Sequence, residues 1–146
     1  LLGLNEWREE VMMTALHAKD LQDRFGEAEI AVSLPRIRPQ VSGFVPACEV
    51  TDTDLVQART ALRMFLPRAG ITISTRESAG LRDDLMPLGV TRMSAGSTTG
   101  VGERLLPGGG AGDWQFEISD KRDVSRMICD LKKKGYQPVL KDWVFS

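Results

Sequence analysis

The feature that most limits the fold of this chain is an alternation of short β-branched runs with helix-length segments, clearest between Ile71 and Gly102. ITIST (71–75) and VTRMSA (90–95) alternate as half-buried strands do, and the segment Ser78 to Leu88 between them is long enough for a helix. The second run opens onto a Gly-rich loop. Strand, helix, strand and loop make a βαβ unit, which requires parallel strands with the helix laid on the sheet. Polar residues stand at the C-terminal end of each run: Arg76 and Glu77 after the first, Ser94 and Ser97 after the second. That end of a parallel strand is where α/β folds carry their chemistry.

The rest of the chain continues the alternation. Leu1 to Leu4 reads as the tail of a buried strand whose beginning precedes the chain. Asn5 is the expected N-cap of a helix running to Arg24, with Glu6, Glu9 and Glu10 in its first turn and an apolar stripe of Trp7, Val11, Met12, Ala15, Leu16, Leu21 and Phe25. Gly26 ends it, and Glu29 to Leu34 is the next strand. PRIRPQVSGFVPACEV must be loop. Thr51, with Asp52 or Thr53, caps a second helix whose stripe is Leu55, Val56, Ala58, Leu62 and Phe65, closed by Pro67 and Gly70. Beyond the βαβ unit, Asp120, Arg122 and Asp123 begin a last helix with Val124, Met127, Ile128 and Leu131 inward and Gly135 as its stop; the apolar tail YQPVLKDWVFS is expected to dock on the domain. The order is (β)αβαβαβα. Four strand ends and four helices are half of a (β/α)8 TIM-type barrel with parallel strands and outer helices, since a whole barrel takes about 250 residues. An open flavodoxin-like sheet is the alternative architecture.

Composition narrows the function. With 146 residues and a net charge of −1, the chain has room for one core and no electrostatic case for nucleic acid or an anionic membrane. No apolar run approaches the roughly 20 residues of a membrane span. The start, LLGLNEWREE, has neither a basic leader nor a small-residue cleavage site, so a cytoplasmic location is expected. Cys48 reads as a free loop thiol and Cys129 as a small buried hydrophobe on the last helix. With His17 the only histidine and no Cys-x-x-Cys, a metal site made by this chain alone is not expected. His17 itself, mid-helix, reads as a packing or surface residue, and the Met12–Met13 pair as ordinary core or helix face.

Three segments can carry chemistry. SLPRIRP (33–39) sets Arg36 and Arg38 just past a strand end between two prolines that fix the backbone. Guanidinium groups so aimed suit a carboxylate or phosphate; the alternative is two arginines paired with loop acids. STRES (74–78) gives Arg76 and Glu77 the same position on the next strand. Arg76 can hold a substrate carboxylate while Glu77 orients it or bonds a sugar hydroxyl, or the two can form a local pair that ties the turn. SAGSTTGVG (94–102) offers hydroxyls and N–H groups close to a ligand, but its spacing is neither a Walker A loop nor G-x-G-x-x-G.

SLPRIRPQ, ITISTRES, LRDD with PLGVTRMSAGSTTGVG, QFEISDKR and GYQPVLKDW, in that order, closely resemble the 2-iminoacetate synthase family, the tyrosine lyases of thiamine (thiazole) biosynthesis. The resemblance implies that residues 1–146 are the C-terminal half of a radical S-adenosylmethionine barrel, including the segment shared with biotin synthase. It implies S-adenosylmethionine and a 4Fe-4S cluster as cofactors, the cluster's C-x-x-x-C-x-x-C ligands lying in an N-terminal half that this chain lacks. It implies L-tyrosine as substrate, cut between Cα and Cβ to 2-iminoacetate and p-cresol, thiazole synthase as protein partner, and a reductant such as flavodoxin or ferredoxin. By motif, Arg76 and Ser94 resemble the residues that grip the amino-acid carboxylate, and Arg36 and Arg38 those lining the S-adenosylmethionine and substrate side. No catalytic residue or metal ligand is expected in this portion, which alone should be inactive. Where the family commonly has a Gly-Gly pair and an aromatic, this chain has Gly102-Glu103-Arg104. The sister tyrosine lyase of iron–iron hydrogenase maturation has a very similar SAGS-x-TGVG loop but carries three further cysteines in a C-terminal extension; GYQPVLKDW is thiamine-type. A reading of another class is a non-catalytic α/β interaction module, which has no need of further strands, whereas a half-barrel exposes a sheet edge.

Overall fold

The computed structural model describes residues 1–38, 44–97 and 118–140. Helix α1 spans Trp7–Arg24, strand β1 Ala31–Ser33, α2 Asp52–Phe65, β2 Gly70–Ile73, α3 Ala79–Leu85, β3 Arg92–Met93 and α4 Val124–Lys133. The strands form a parallel sheet in the order β1–β2–β3, with Val32 opposite Ile71 and Ile73 opposite Met93. Leu2 makes a parallel bridge to Arg36, its N–H donating to the Pro35 carbonyl at 2.8 Å and its carbonyl accepting from Ile37 N at 2.9 Å. The amino-terminal segment therefore lies beside β1 as the rudiment of a fourth strand. Each strand neighbours its successor, with no reversal of order. The α/β class and parallel pairing are as expected; the strands are shorter, β3 covering two residues where Val90 to Ala95 was expected. Its ladder continues one residue each way, Thr91 N donating to Ile71 O at 3.0 Å and Ser94 N to Ile73 O at 3.1 Å.

The helix starts follow capping chemistry. Thr51 and Asp54 form a reciprocal capping box, each side chain accepting from the other's backbone N–H. Ser78 caps α3 and Asp123 caps α4. For α1 the cap is Glu6 rather than Asn5, because the Asn5 and Gly3 N–H groups donate instead to Glu10, which reaches back over the entering chain. The inner face of α1 is Trp7, Ala15 and Ala18, not the broader stripe expected: Met12, Met13, Leu16 and Phe25 are exposed. Small alanines let the helix lie close, and that turns the larger side chains outward. On α4 only Met127 is buried; Val124 and Cys129 are exposed, so Cys129 is not the buried hydrophobe its helical setting suggested. His17 is exposed and Cys48 is a free, half-buried loop thiol. The loop segment 98–117 lies outside the described residues, as do residues 141–146 of the tail 136–146 for which docking was expected; within its described part Tyr136, Val139 and Leu140 are exposed.

The core lies between α2 and the sheet, where Leu55, Leu62, Leu66, Ile71 and Ile73 are fully enclosed. The helix expected to reach Leu88 stops at Leu85 and tightens into a 3-10 turn, Met86–Leu88, that holds Pro87. Gly89 then takes a left-handed φ of 97°. Its carbonyl accepts two bonds from the Arg63 guanidinium, which also donates to the carbonyls of Pro67 and Ala69 at 2.9 Å. A Cβ at position 89 would stand 2.7 Å from Arg63 Nε. Gly89→Ala is therefore expected to lower stability by about 1–2 kcal/mol from backbone strain alone, before any loss of the Arg63 contacts. Urea denaturation of the two proteins measures it.

Candidate functional site

Because the strands are parallel, the residues that follow them collect at one end of the sheet: Arg36 after β1, Thr75 to Glu77 after β2, Ser94 after β3. The Glu77 carboxylate does not pair locally with Arg76 but crosses to Arg36. Its Oε1 and Oε2 each lie 3.1 Å from Arg36 Nε, and Oε2 lies 2.6 Å from Nη2. Both residues are buried, Glu77 at 1% and Arg36 at 5% exposure. Arg36 also donates to the Val50 carbonyl at 2.8 Å and to the exposed Asp52 carboxylate at the start of α2. Burial acts to lower the Arg36 pKa, but Glu77 and Asp52 together raise it above the ordinary arginine value. Nε, Nη1 and Nη2 of Arg36 all have protein acceptors, so the residue braces the wall at the β1 and β2 ends.

Beneath this pair Arg59 enters from α2. Its Nη1 donates to Thr72 O at 2.9 Å and its Nη2 to Leu34 O at 3.2 Å, joining the ends of β1 and β2. Burial pushes its pKa down to about 10. Arg76 is half-buried, and burial lowers its pKa too, while the Glu77 charge opposes the shift. Arg38 is half-buried, and its Nε is enclosed without a hydrogen-bond partner among the described residues.

A second ionic cluster adjoins Ser94. Arg82, fully buried on α3, donates to the Asp120 carboxylate and to the Ser94 carbonyl. Asp120 also accepts from Arg122, at 3.0 Å from Nε and 2.7 Å from Nη2, and Arg122 reaches Asp83 at 3.0 Å. Lys134 donates to the other Asp83 oxygen at 2.9 Å. Burial works to raise both carboxyls, but the hydrogen bonds and charges of these cations hold Asp83 and Asp120 below their ordinary range.

The strand-end residues Arg36, Arg76, Glu77 and Ser94 are thus all found at one end of the sheet, while Arg59, Arg82 and Asp120 escaped the sequence reading. The first two had a signal. Arg59 falls in the apolar stripe of α2 between Leu55 and Leu62, and Arg82 lies three residues before the buried Leu85. A charge on a buried face needs a partner. Nothing local distinguishes Asp120 from the other acids of its segment.

Buried strand-end ion pairs beside a half-buried arginine mark one end of a parallel α/β domain. The chain belongs to the Biotin and Thiamin Synthesis associated domain family, whose model matches residues 33–137. It is 36% identical to 2-iminoacetate synthase of Salmonella typhimurium and likewise to that of Escherichia coli, over 98% of this chain and 38% of each relative. The chain thus spans well under half the length of these relatives. Among solved structures it is similar to HydG, a maturase of the FeFe-hydrogenase, with a TM-score of 0.78 and 31% identity over 93% of this chain and 29% of that one. HydG of Carboxydothermus hydrogenoformans matches with a TM-score of 0.72 and 36% identity over 87% of this chain and 28% of that one.

Two outcomes test the electrostatics. Glu77→Ala leaves the buried Arg36 with only the exposed Asp52 as counter-charge and is expected to cost about 3 kcal/mol, whereas Arg36→Met with Glu77→Leu together should cost much less. A double-mutant cycle in urea reads the difference. Asp83 and Asp120 have folded-state pKa values below the ordinary 3.8, so the stability they contribute is fully present above that value and is lost as pH falls through the folded values. Melting temperature should drop below about pH 4, and Asp83→Asn should flatten that limb.

Proposed function

We propose that residues 1–146 are the C-terminal, substrate-binding part of a radical S-adenosylmethionine tyrosine lyase. The whole enzyme would cleave L-tyrosine between Cα and Cβ to 2-iminoacetate and p-cresol, in the cytoplasm, for the thiazole of thiamine. The observation that carries this reading is 36% identity to 2-iminoacetate synthase along 98% of the chain. The sheet order supports a barrel parent: parallel strands in consecutive order, flanked by the Leu2 bridge, show among the described residues no reversal of the kind an open doubly wound sheet has at its switch point.

In this reading the Arg76 guanidinium takes the tyrosine carboxylate through its planar fork, and the Ser94 hydroxyl completes the grip. Partial burial favours the contact, since a charge-assisted bond strengthens as water is excluded. Arg36 and Glu77 neutralise one another and keep the β1 and β2 ends at fixed spacing, which steadies the backbone that carries Arg76. Arg38, with its enclosed Nε, lies on the S-adenosylmethionine side. The cluster does not fit these residues: no group of three or more His, Cys, Asp or Glu among the described residues can hold a metal, and Cys48 and Cys129 are separate free thiols. Its ligands belong to the remainder of the enzyme, and no step here runs through it. Thiazole synthase as acceptor of the product and flavodoxin or ferredoxin as electron donor belong to the same proposal.

A second reading, the tyrosine lyase of hydrogenase maturation, is favoured by the structural likeness to HydG. Release of p-cresol tests the shared lyase step, and thiazole formation on adding thiazole synthase separates the two. In the whole enzyme, Arg76→Ala should lower kcat/KM for tyrosine at least tenfold, the loss of a charge-assisted bond worth about 1.5–3 kcal/mol. Unchanged p-cresol kinetics would remove Arg76 from the site.

A further inference from the structure

The Arg82–Asp120 pair has no part in the carboxylate clamp as described, yet several bonds around it end on the backbone at or beside the clamp residues. Arg82 holds the Ser94 carbonyl directly. Asp120, which locks Arg82 through its carboxylate, sends its own N–H to the Thr75 carbonyl at 3.1 Å, the residue before Arg76, and Ser119 N does the same at 3.0 Å. Arg122, bound to the same carboxylate, accepts from Gly96 N at 3.2 Å through its carbonyl, two residues past Ser94. The segment 119–122 thus fastens the end of β2 to the end of β3, with Arg82 as the cross-piece.

The arrangement has a local cost that stability alone does not explain. Arg82 is fully buried, and its Nε has no hydrogen-bond partner among the described residues. A buried donor left unmade is uncommon and calls for a reason. Here the guanidinium is held where two of its nitrogens span a carboxylate and a strand-end carbonyl at once. Lysine offers one ammonium nitrogen in place of two held in a planar fork, so it does not reproduce this span.

We propose that Arg82, locked by Asp120, is a positioning residue of the strand-end site: it sets where Ser94 stands relative to Arg76 and so governs the preference for a carboxylate-bearing ligand. This rests on the reading of Arg76 and Ser94 as the clamp. Arg82→Lys keeps a cation for Asp120 and loses the grip on Ser94. Asp120→Asn keeps the shape and removes the charge that locks Arg82.

The test is equilibrium dialysis of the whole protein with L-tyrosine and with tyramine, which shares the ring and amine and lacks the carboxylate, alongside thermal melts. The wild-type protein should prefer tyrosine. In Arg82→Lys, and in Asp120→Asn as the independent second variant, the tyrosine-to-tyramine affinity ratio should fall about tenfold while tyramine affinity and cooperative melting persist. A lowered Tm with an unchanged ratio, or failure of both variants to fold, makes Arg82 purely structural and overturns the inference. A wild-type protein with no preference for tyrosine overturns the clamp reading, and the inference falls with it.

Discussion

The rest of the structure depends on the neutralisation of charge at the carboxyl ends of very short strands. Strands of three, four and two residues leave few ladder hydrogen bonds to set the sheet. The buried contact of Arg36 with Glu77 supplies what the ladder does not, joining the ends of β1 and β2 by three N–H···O contacts to one carboxylate. Such a pair adds little net stability against an apolar replacement, because desolvation offsets the attraction. What it adds is direction. Two charges with one acceptable geometry hold two backbones at one separation, as apolar side chains of the same volume would not.

This has a bearing on the site. Glu77 immediately follows Arg76 in sequence, yet its carboxylate turns to Arg36. Glu77, the acid next to Arg76 in sequence, is thereby engaged by a different cation, and its charge still opposes the burial-driven fall in the Arg76 pKa. One carboxylate serves both to brace the wall and to sustain the charge of its neighbour.

The sequence made the class and order of elements legible, because alternation of period and capping residues are local properties: Thr51 with Asp54, Ser78 and Asp123 all cap where they stand. The strand-end location of Arg36, Arg76, Glu77 and Ser94 was legible for the same reason, as it follows from parallel pairing. Which of these residues touch one another was not. The local Arg76–Glu77 pair and the cross-strand Arg36–Glu77 pair read identically along the chain, and only the 41-residue contact distinguishes them. The inner face of α1 was misjudged because hydrophobicity favours Met12 and Leu16, whereas close packing favours Ala15 and Ala18. Asp120 could not be found at all, since its burial is created by α3 folding over it.

Helix α2 illustrates how few contacts make a packing unique. Its apolar face of Leu55, Ala58 and Leu62 would be nearly as well buried after a slide of one helical turn. Arg59 and Arg63, one turn apart on the same helix, forbid that slide from opposite ends: the first is bonded to Leu34 and Thr72 at the carboxyl side of the sheet, the second to Ala69 and Gly89 at the amino side. A shift in either direction would take the buried Arg59 and the half-buried Arg63 away from their carbonyls. The helix is therefore keyed to the sheet like a bolt pinned at both ends, and mis-registered compact states are removed from competition without deepening the native one.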